Sequence, residues 1–213
     1  MFKKILLSVL FLCPFLLLTG CSFEKNVPIS QIPSPTSEPT PKPTLVSSPI
    51  MIIDIKKEYQ AVLKTDVGDI KIQLNAKETP ITVNNFVYLA KNNFYNNTIF
   101  HRVMKGFMIQ GGDPKGDGTG GPGYQFADES FEGEYTRGTV AMANTGPNTN
   151  GSQFFIMHQD YDLPKNYVIF GKVTEGLNVV DKIAEASVSA NQFGEMSKPV
   201  TPIKIFSVEI VKK

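Results

Sequence analysis

The stretch Phe100–Asp113, FHRVMKGFMIQGGD, decides how the chain is read. It is short, largely apolar and closed by glycines, the marks of a buried strand. Arg102 and Gln110 break the pattern. A guanidinium among Phe100, Val103, Met104, Phe107, Met108 and Ile109 is costly unless it is paired. Two placements meet that demand. Arg102 pairs with a nearby acid and supports the fold, or Arg102 and Gln110 face a groove floored by Phe107 and Met108. Such a groove would offer an apolar seat with a few fixed donors beside it.

A second cluster, Met142–Ile156 (MANTGPNTNGSQFFI), favours the groove. It is dense in small residues and amides and closes on two phenylalanines. Amide side chains and bare backbone beside aromatics suit an extended peptide, whose main chain needs donors and acceptors and whose side chain needs a pocket.

Outward from these segments the pattern is mostly strand. YQAVLKT and DIKIQLN are strand-like and joined by the turn DVG; Ile70, Ile72 and Leu74 alternate with Lys71 and Gln73. Further short strands are expected around 98–103, 107–112, 138–143, 153–158 and 167–173, and IKIFSVEIV ends the chain as another. TPITVNNFVYLAKNNF predicts a helix with Thr79 as N-cap and Pro80 in its first turn. Its buried face is Val83, Phe86, Val87 and Ala90. GLNVVDKIAEA predicts a second helix. Many short strands with glycine-rich turns and two isolated helices predict a closed or nearly closed β-barrel. The long segment 111–134 is the kind of loop that carries function.

Composition excludes several classes. The 213 residues carry a formal net charge of +1 with no basic run, so nucleic-acid binding has no electrostatic footprint. The two cysteines, Cys13 and Cys21, lie near the N-terminus, and the two histidines are His101 and His158. A Cys/His zinc site is therefore not expected. GDGTGG contains GxGxxG at Gly116, Gly118 and Gly121, but Asp113-Pro114 precedes it and Pro122-Gly123 follows. A dinucleotide site needs a strand before and a helix after, so a flexible loop is expected instead. His101 and His158 have no nucleophile motif beside them and read as structural residues.

The N-terminal segment reads as targeting rather than fold. MFKK is a basic start, and ILLSVLFLCPFLLL is too short and too interrupted for a comfortable membrane span. It ends in Leu18-Thr19-Gly20-Cys21, which resembles a bacterial lipobox; on that resemblance 1–21 is a signal peptide and Cys21 carries the lipid. The alternative is an ordinary secretory signal and a free thiol. Residues 22–52 are rich in Pro, Ser and Thr and cannot bury enough apolar area to order themselves. They are expected to form a disordered tether extending about 3 Å per residue, with residues 53–213 as the globular domain.

FHRVMKGFMIQGGD and GTVAMANTGPNTNGSQFFI together resemble the signature of the cyclophilin-type peptidyl-prolyl cis-trans isomerases, with YVIFGKV and GDIKIQL matching as well. The resemblance covers roughly Tyr59 to Val211. It implies a mainly β fold, a closed eight-stranded antiparallel barrel capped by two α-helices. It implies Arg102 as the catalytic cation, with Gln110 and Phe107 beside it. Phe107, Met108, Phe155 and Leu163 would wall the proline pocket. Ala143, Asn144 and Gln153 would bind the peptide, Asn144 through its backbone. His101 would lie at the pocket edge, and Tyr167 stands where the family often has histidine. No metal and no cofactor are implied. The expected partners are proline-containing unfolded or maturing polypeptides and, through the N-terminal lipid, a membrane; no nucleic acid is expected, and the chain is expected to act as a monomer.

The chemistry follows from the peptide bond. Rotation about X–Pro crosses a barrier of about 20 kcal/mol because resonance is lost. In the twisted state the prolyl nitrogen gains a lone pair, and a guanidinium aimed at it stabilises the twist more than either planar form. One departure stands out: the chain has no Trp, whereas many family members place one beside the pocket leucine, and Tyr161 or Asp162 falls near that position. The rival reading from another class is a non-catalytic peptide-binding module, which would not require Arg102. A third reading, an envelope scaffold in which the groove is incidental, is disfavoured by the intact polar set.

Overall fold

In the computed structural model the described residues are 49–212. The expected signal peptide 1–21 with Cys21, and the tether up to residue 48, lie outside them. Residues 49–52, at the far end of the expected tether, run along the first helix and are held by one side chain. Asn84 Oδ1 accepts from Ile52 N at 2.7 Å and Ile53 N at 3.3 Å, while Nδ2 donates to the carbonyls of Pro49 and Ile50 at 3.2 and 3.1 Å.

The strands in chain order are β1 (Tyr59–Thr65), β2 (Gly68–Leu74), β3 (Thr98–Ile99), β4 (Arg102–Met104), β5 (Met108–Gly111), β6 (Thr139–Met142), β7 (Phe154–Met157), β8 (Ile169–Glu175), β9 (Val188–Ala190), β10 (Met196–Pro199) and β11 (Lys204–Lys212). The helices are α1 (Pro80–Lys91) and α2 (Leu177–Ala184). Nine strands form one antiparallel sheet in the order β3-β11-β1-β2-β8-β6-β7-β5-β4, and β9 and β10 form a separate hairpin.

This corrects the expected closed eight-stranded barrel. The sheet is a curled, open nine-stranded one with β3 and β4 at its edges. The reason lies in the segment expected as one strand over 98–103. Phe100 N donates to Ile203 O at 3.0 Å, and His101 N donates to Gln110 O at 3.1 Å. Successive N–H groups thus point to opposite neighbours. The ladder breaks there, and one segment serves both edges. Chain continuity, rather than a ladder, joins the two ends of the curl.

Strand alternation divides the sheet into two apolar faces. Phe100, Val103, Ile109, Val140, Met142, Phe154, Ile156 and Phe170 point into the main core. α1 closes that core: Val83, Phe86 and Val87 are fully buried, as their spacing predicts, and the Phe86 ring meets Phe154 edge-on at 5.6 Å. Met108, Ala141, Phe155, Met157 and Ile169 form a second cluster on the other face, joined by Phe107, Ala143, Leu163 and Tyr167 at its rim.

The α1 N-terminus is capped differently from expectation. Thr79 occupies the N-cap position without a side-chain cap bond; its hydroxyl lies 3.4 Å from the carbonyls of Asn75 and Ile169. The free helix donors go instead to Glu129, whose carboxylate accepts from Ile81 N at 2.9 Å and Thr82 N at 2.6 Å. A carboxylate there also complements the helix dipole. Glu129 comes from the long loop after β5, so it clips that loop to the helix. Glu129→Ala is expected to destabilise the fold by about 1–2 kcal/mol, measured by denaturant unfolding; an unchanged midpoint would show that Thr79 or water takes over the cap.

Candidate active site

The second apolar face gathers the residues singled out in the sequence. Cross-strand partners set Arg102 opposite Gln110, Gln110 opposite Phe155, and Phe155 opposite Ala141. One row across four strands therefore carries a cation, an amide, an aromatic ring and a small residue on the same side. Met104, Met108 and Met157 form the adjacent row. Phe107 joins from the β4–β5 turn. Leu163 lies at the rim of the same cluster, in the segment that follows β7.

Tyr161, half-exposed, packs its ring against Phe107 with centroids 4.6 Å apart. Tyr167 meets Phe155 edge-on at 5.6 Å. It is fixed by Tyr135, whose hydroxyl donates to Tyr167 O at 2.9 Å and accepts from Tyr167 N at 3.1 Å. Tyr135 is buried and was not anticipated; no local pattern marks it.

A polar chain crosses this face. Arg102 Nη1 donates to Gln110 Oε1 at 3.4 Å. Gln110 Nε2 donates to Gln153 Oε1 at 2.9 Å. Gln153 Nε2 then donates to the carbonyls of Gly118 and Gly120 at 3.0 and 2.9 Å. The glycine segment expected to be flexible is thus pinned. Fully buried Asp113 holds it from within, accepting from the backbone N–H of Lys115 at 2.8 Å, Asp117 at 3.2 Å and Gly118 at 2.6 Å. Gly120 is required here, since a Cβ would fall 1.9 Å from Asp113 Oδ1.

Asn144 and His101 sit to either side. Among the described residues neither main-chain group of Asn144 is hydrogen-bonded within the chain, while its side chain donates to Asn166 O at 2.8 Å. The backbone is thereby left open. Ala143, just before it, is tied to Gln153 O through its own N–H at 3.0 Å. His101 is buried, with no hydrogen-bond partner for either ring nitrogen among the described residues. Burial pushes its pKa down, opposed by the Asp113 carboxylate. It lines a cavity of about 390 Å³ beside Arg102, between the glycine segment and the β9–β10 hairpin, rather than the apolar pocket itself. His158 is structural, its Nδ1 accepting from Gly106 N at 3.0 Å.

The unanticipated member of the site is Glu195, in the turn between β9 and β10. Its carboxylate grips Arg102 in two bonds, Nε to Oε2 at 2.7 Å and Nη2 to Oε1 at 2.8 Å. Both placements considered for Arg102 therefore hold at once: it is paired with an acid, and it faces the groove. The pair spans 93 residues of sequence, and nothing in either local segment signals it.

An apolar pocket with one fixed cation and a run of amides thus lies on the outer face of a curled antiparallel sheet. Comparison with known proteins makes the class specific. Residues 61–210 match the family model described as cyclophilin type peptidyl-prolyl cis-trans isomerase/CLD. A probable peptidyl-prolyl cis-trans isomerase B of Mycobacterium tuberculosis is 47% identical over 161 residues, covering 68% of this chain and 52% of that protein. The chain thus spans about half the length of the mycobacterial relatives it matches. The human peptidyl-prolyl cis-trans isomerase-like 3 is 45% identical over 154 residues, covering 70% of this chain and 93% of that one. A crystal structure of a Cryptosporidium parvum cyclophilin superposes with a TM-score of 0.68 at 38% identity, covering 73% of this chain and 99% of that one. The same protein was also solved in the presence of the dipeptide Ala-Pro. The chain belongs to the cyclophilin-type peptidyl-prolyl cis-trans isomerase family.

The ion pair sets a pH signature. The Arg102 guanidinium holds the Glu195 carboxyl down at about 2, against an ordinary value of 4.5. A carboxyl depressed in the folded state stabilises the fold above its unfolded pKa and loses that contribution as pH falls through the folded one. Glu195 is about one-third exposed (34%), so water screens the pair and the effect is small. The Tm advantage of wild type over Glu195→Gln is therefore expected at pH 6, shrinking as pH drops from 4.5 towards 2. Thermal unfolding across that range checks it; a gap that persists at the acid end would contradict the pairing.

Proposed function

We propose that this chain catalyses rotation about X–Pro bonds of unfolded or maturing polypeptides, outside the cytoplasm of a bacterial cell, while anchored to a membrane by a lipid on Cys21. The observation that carries the catalytic part is the position of Arg102. Its Nη1 lies beside Gln110 and 4.0 Å from Met108 Sδ, at the edge of the apolar seat. A proline ring resting on Phe107, Met108, Phe155 and Leu163 would leave its nitrogen near that donor. Ala143, Asn144 and Gln153 would carry the flanking main chain. The guanidinium then interacts most strongly with the twisted, pyramidal nitrogen, and rotation is favoured by differential binding of the transition state. The polar chain running to Gln153 and the glycine segment keeps the donors in place before substrate arrives. All these residues come from one chain, in keeping with a monomer. The reading of residues 1–21 as a lipoprotein signal, with 22–52 as a tether reaching from the membrane, supports the location.

Arg102→Ala is expected to lower kcat/KM on an Ala-Pro peptide by about a hundredfold or more without lowering Tm appreciably. Arg102→Lys is expected to be nearly as poor, because an ammonium lacks the planar fork. A protease-coupled isomerisation assay decides this, and full activity in the folded Ala variant would refute the catalytic role. For the anchor, the wild-type protein expressed in bacteria is expected to partition with membranes and take up a fatty-acid label, and Cys21→Ser to lose both. Soluble, unlabelled wild-type protein would point to ordinary secretion.

A further inference from the structure

Glu195 reaches the catalytic cation from a turn that is itself braced. Asn191 Oδ1 accepts from Phe193 N at 2.9 Å and Glu195 N at 3.0 Å, and Asn191 N donates to Glu195 O at 2.8 Å. Asn191 Nδ2 donates to Ser197 Oγ at 3.2 Å and touches Glu195 Oε2 at 3.4 Å. At the tip Gln192 Nε2 donates across the cavity to Asp117 O at 3.1 Å. The carboxylate is therefore delivered from a fixed backbone, tied on one side to the glycine segment that Gln153 also holds.

A guanidinium has five N–H donors in a rigid plane. Glu195 engages the Nε–Nη2 edge at 2.7 and 2.8 Å, while Nη1 keeps only long contacts, 3.4 Å to Gln110 and 4.0 Å to Met108. The strongly bonded edge faces the hairpin, with Nη2 also 3.2 Å from Met104 Sδ; Nη1, left with long contacts alone, faces Gln110 and Met108 on the pocket side. An unrestrained arginine samples many rotamers, and most would turn Nη1 away. Isolated exposed ion pairs add little to stability. A two-bond clamp on this particular side chain instead removes the orientational freedom that a bound proline would otherwise have to restrict. A second two-bond pair, Arg137 with Asp181 at 2.6 and 3.0 Å, packs beside His158 and provides no such donor to the pocket.

We propose that Glu195 is a positioning residue for the isomerisation, its carboxylate clamping the outer edge of Arg102 so that Nη1 is held toward the proline pocket. The inference rests on the isomerase reading of the site. It contrasts with an alternative in which the carboxylate merely quenches the cation.

The test compares the full wild-type chain with Glu195→Ala and Glu195→Asp. Each is measured for Tm, for turnover of an Ala-Pro peptide by NMR exchange, for the Kd of that peptide by titration, and for the Arg102 Nε–Hε signal. Glu195→Ala is expected to lose about ten- to a hundredfold in turnover, with Kd changed less than threefold and the Nε–Hε signal broadened or lost. Glu195→Asp, which keeps the charge on a shorter arm, is expected to recover part of both turnover and signal. Turnover equal to or above wild type in a folded Ala variant overturns the inference, the latter outcome showing that the carboxylate quenches the cation. An intact Nε–Hε signal in that variant also overturns it, because the clamp would not be what orders Arg102. If the wild type binds the peptide but does not turn it over, the isomerase reading fails. The clamp is then judged by the signal alone, where loss in Ala with recovery in Asp upholds it.

Discussion

The site depends on strand register. β4, β5, β7 and β6 are paired so that Arg102, Gln110, Phe155 and Ala141 fall in one row on one face. Their chain neighbours Val103, Ile109, Phe154, Ile156 and Val140 face the core. Side chains alternate with period two, so a slip of one residue in β4 would drive the guanidinium into the Phe86–Phe154 core and push Val103 into the groove. The desolvation of an unpaired charge would oppose that slip by several kcal/mol. The polar residues that serve the groove thus also enforce the pairing that builds it. The placement of Arg102 and the specificity of the fold become one constraint.

The same constraint explains why the two apolar clusters behave differently. The main core is filled by α1 and closed, with Phe86, Phe154 and Phe170 all fully buried. The second cluster has no helix over it. Its cover is a rim of partly buried side chains, Phe107, Leu163 and Tyr167 among them, with the exposed Tyr161 against Phe107, carried on turns rather than strands. Under the proposed function the pocket accepts and releases a proline, which needs a rigid floor and a removable lid of solvent. Strand residues supply the first, and the gap in the cover supplies the second. The polar chain from Glu195 through Arg102, Gln110 and Gln153 to the glycine segment runs along the edge of this opening, where most of its hydrogen bonds are partly shielded from water and therefore stronger.

Much of this was legible in the sequence, because alternation and turn chemistry are local. The α1 face at Val83, Phe86 and Val87 and the strands around Gln110 and Phe155 follow from spacing, and the groove at Arg102, Gln110, Phe107 and Met108 from the cost of burying a guanidinium, while the rest of the site set came from the family resemblance. What escaped was non-local. Glu195 meets Arg102 across 93 residues of sequence. Glu129 takes over a cap that Thr79 was expected to make. Tyr135 fixes Tyr167 through its hydroxyl. Each is an ordinary polar residue in a loop, and its role exists only once the sheet has curled. The barrel count failed for a related reason. A single apolar run around Phe100 reads as one strand, but the switch of hydrogen-bond partner between Phe100 and His101 is set by the neighbouring strands.

The glycine segment shows how a misleading local motif is resolved by its surroundings. GDGTGG satisfies a phosphate-binding spacing, yet no helix follows it, and its N–H groups at Lys115, Asp117 and Gly118 already point at the buried Asp113 carboxylate. An anion is therefore built into the loop, which leaves those N–H groups no vacancy for a phosphate. The outward carbonyls of Gly118 and Gly120 instead receive the Gln153 amide. The loop acts as an internal brace: a carboxylate organises its donors, its acceptors orient an amide, and that amide orients Gln110 beside the guanidinium. In the proposed mechanism the catalysis rests on where one cation points. The loop contributes by restricting that direction from one side, as the hairpin carboxylate does from the other.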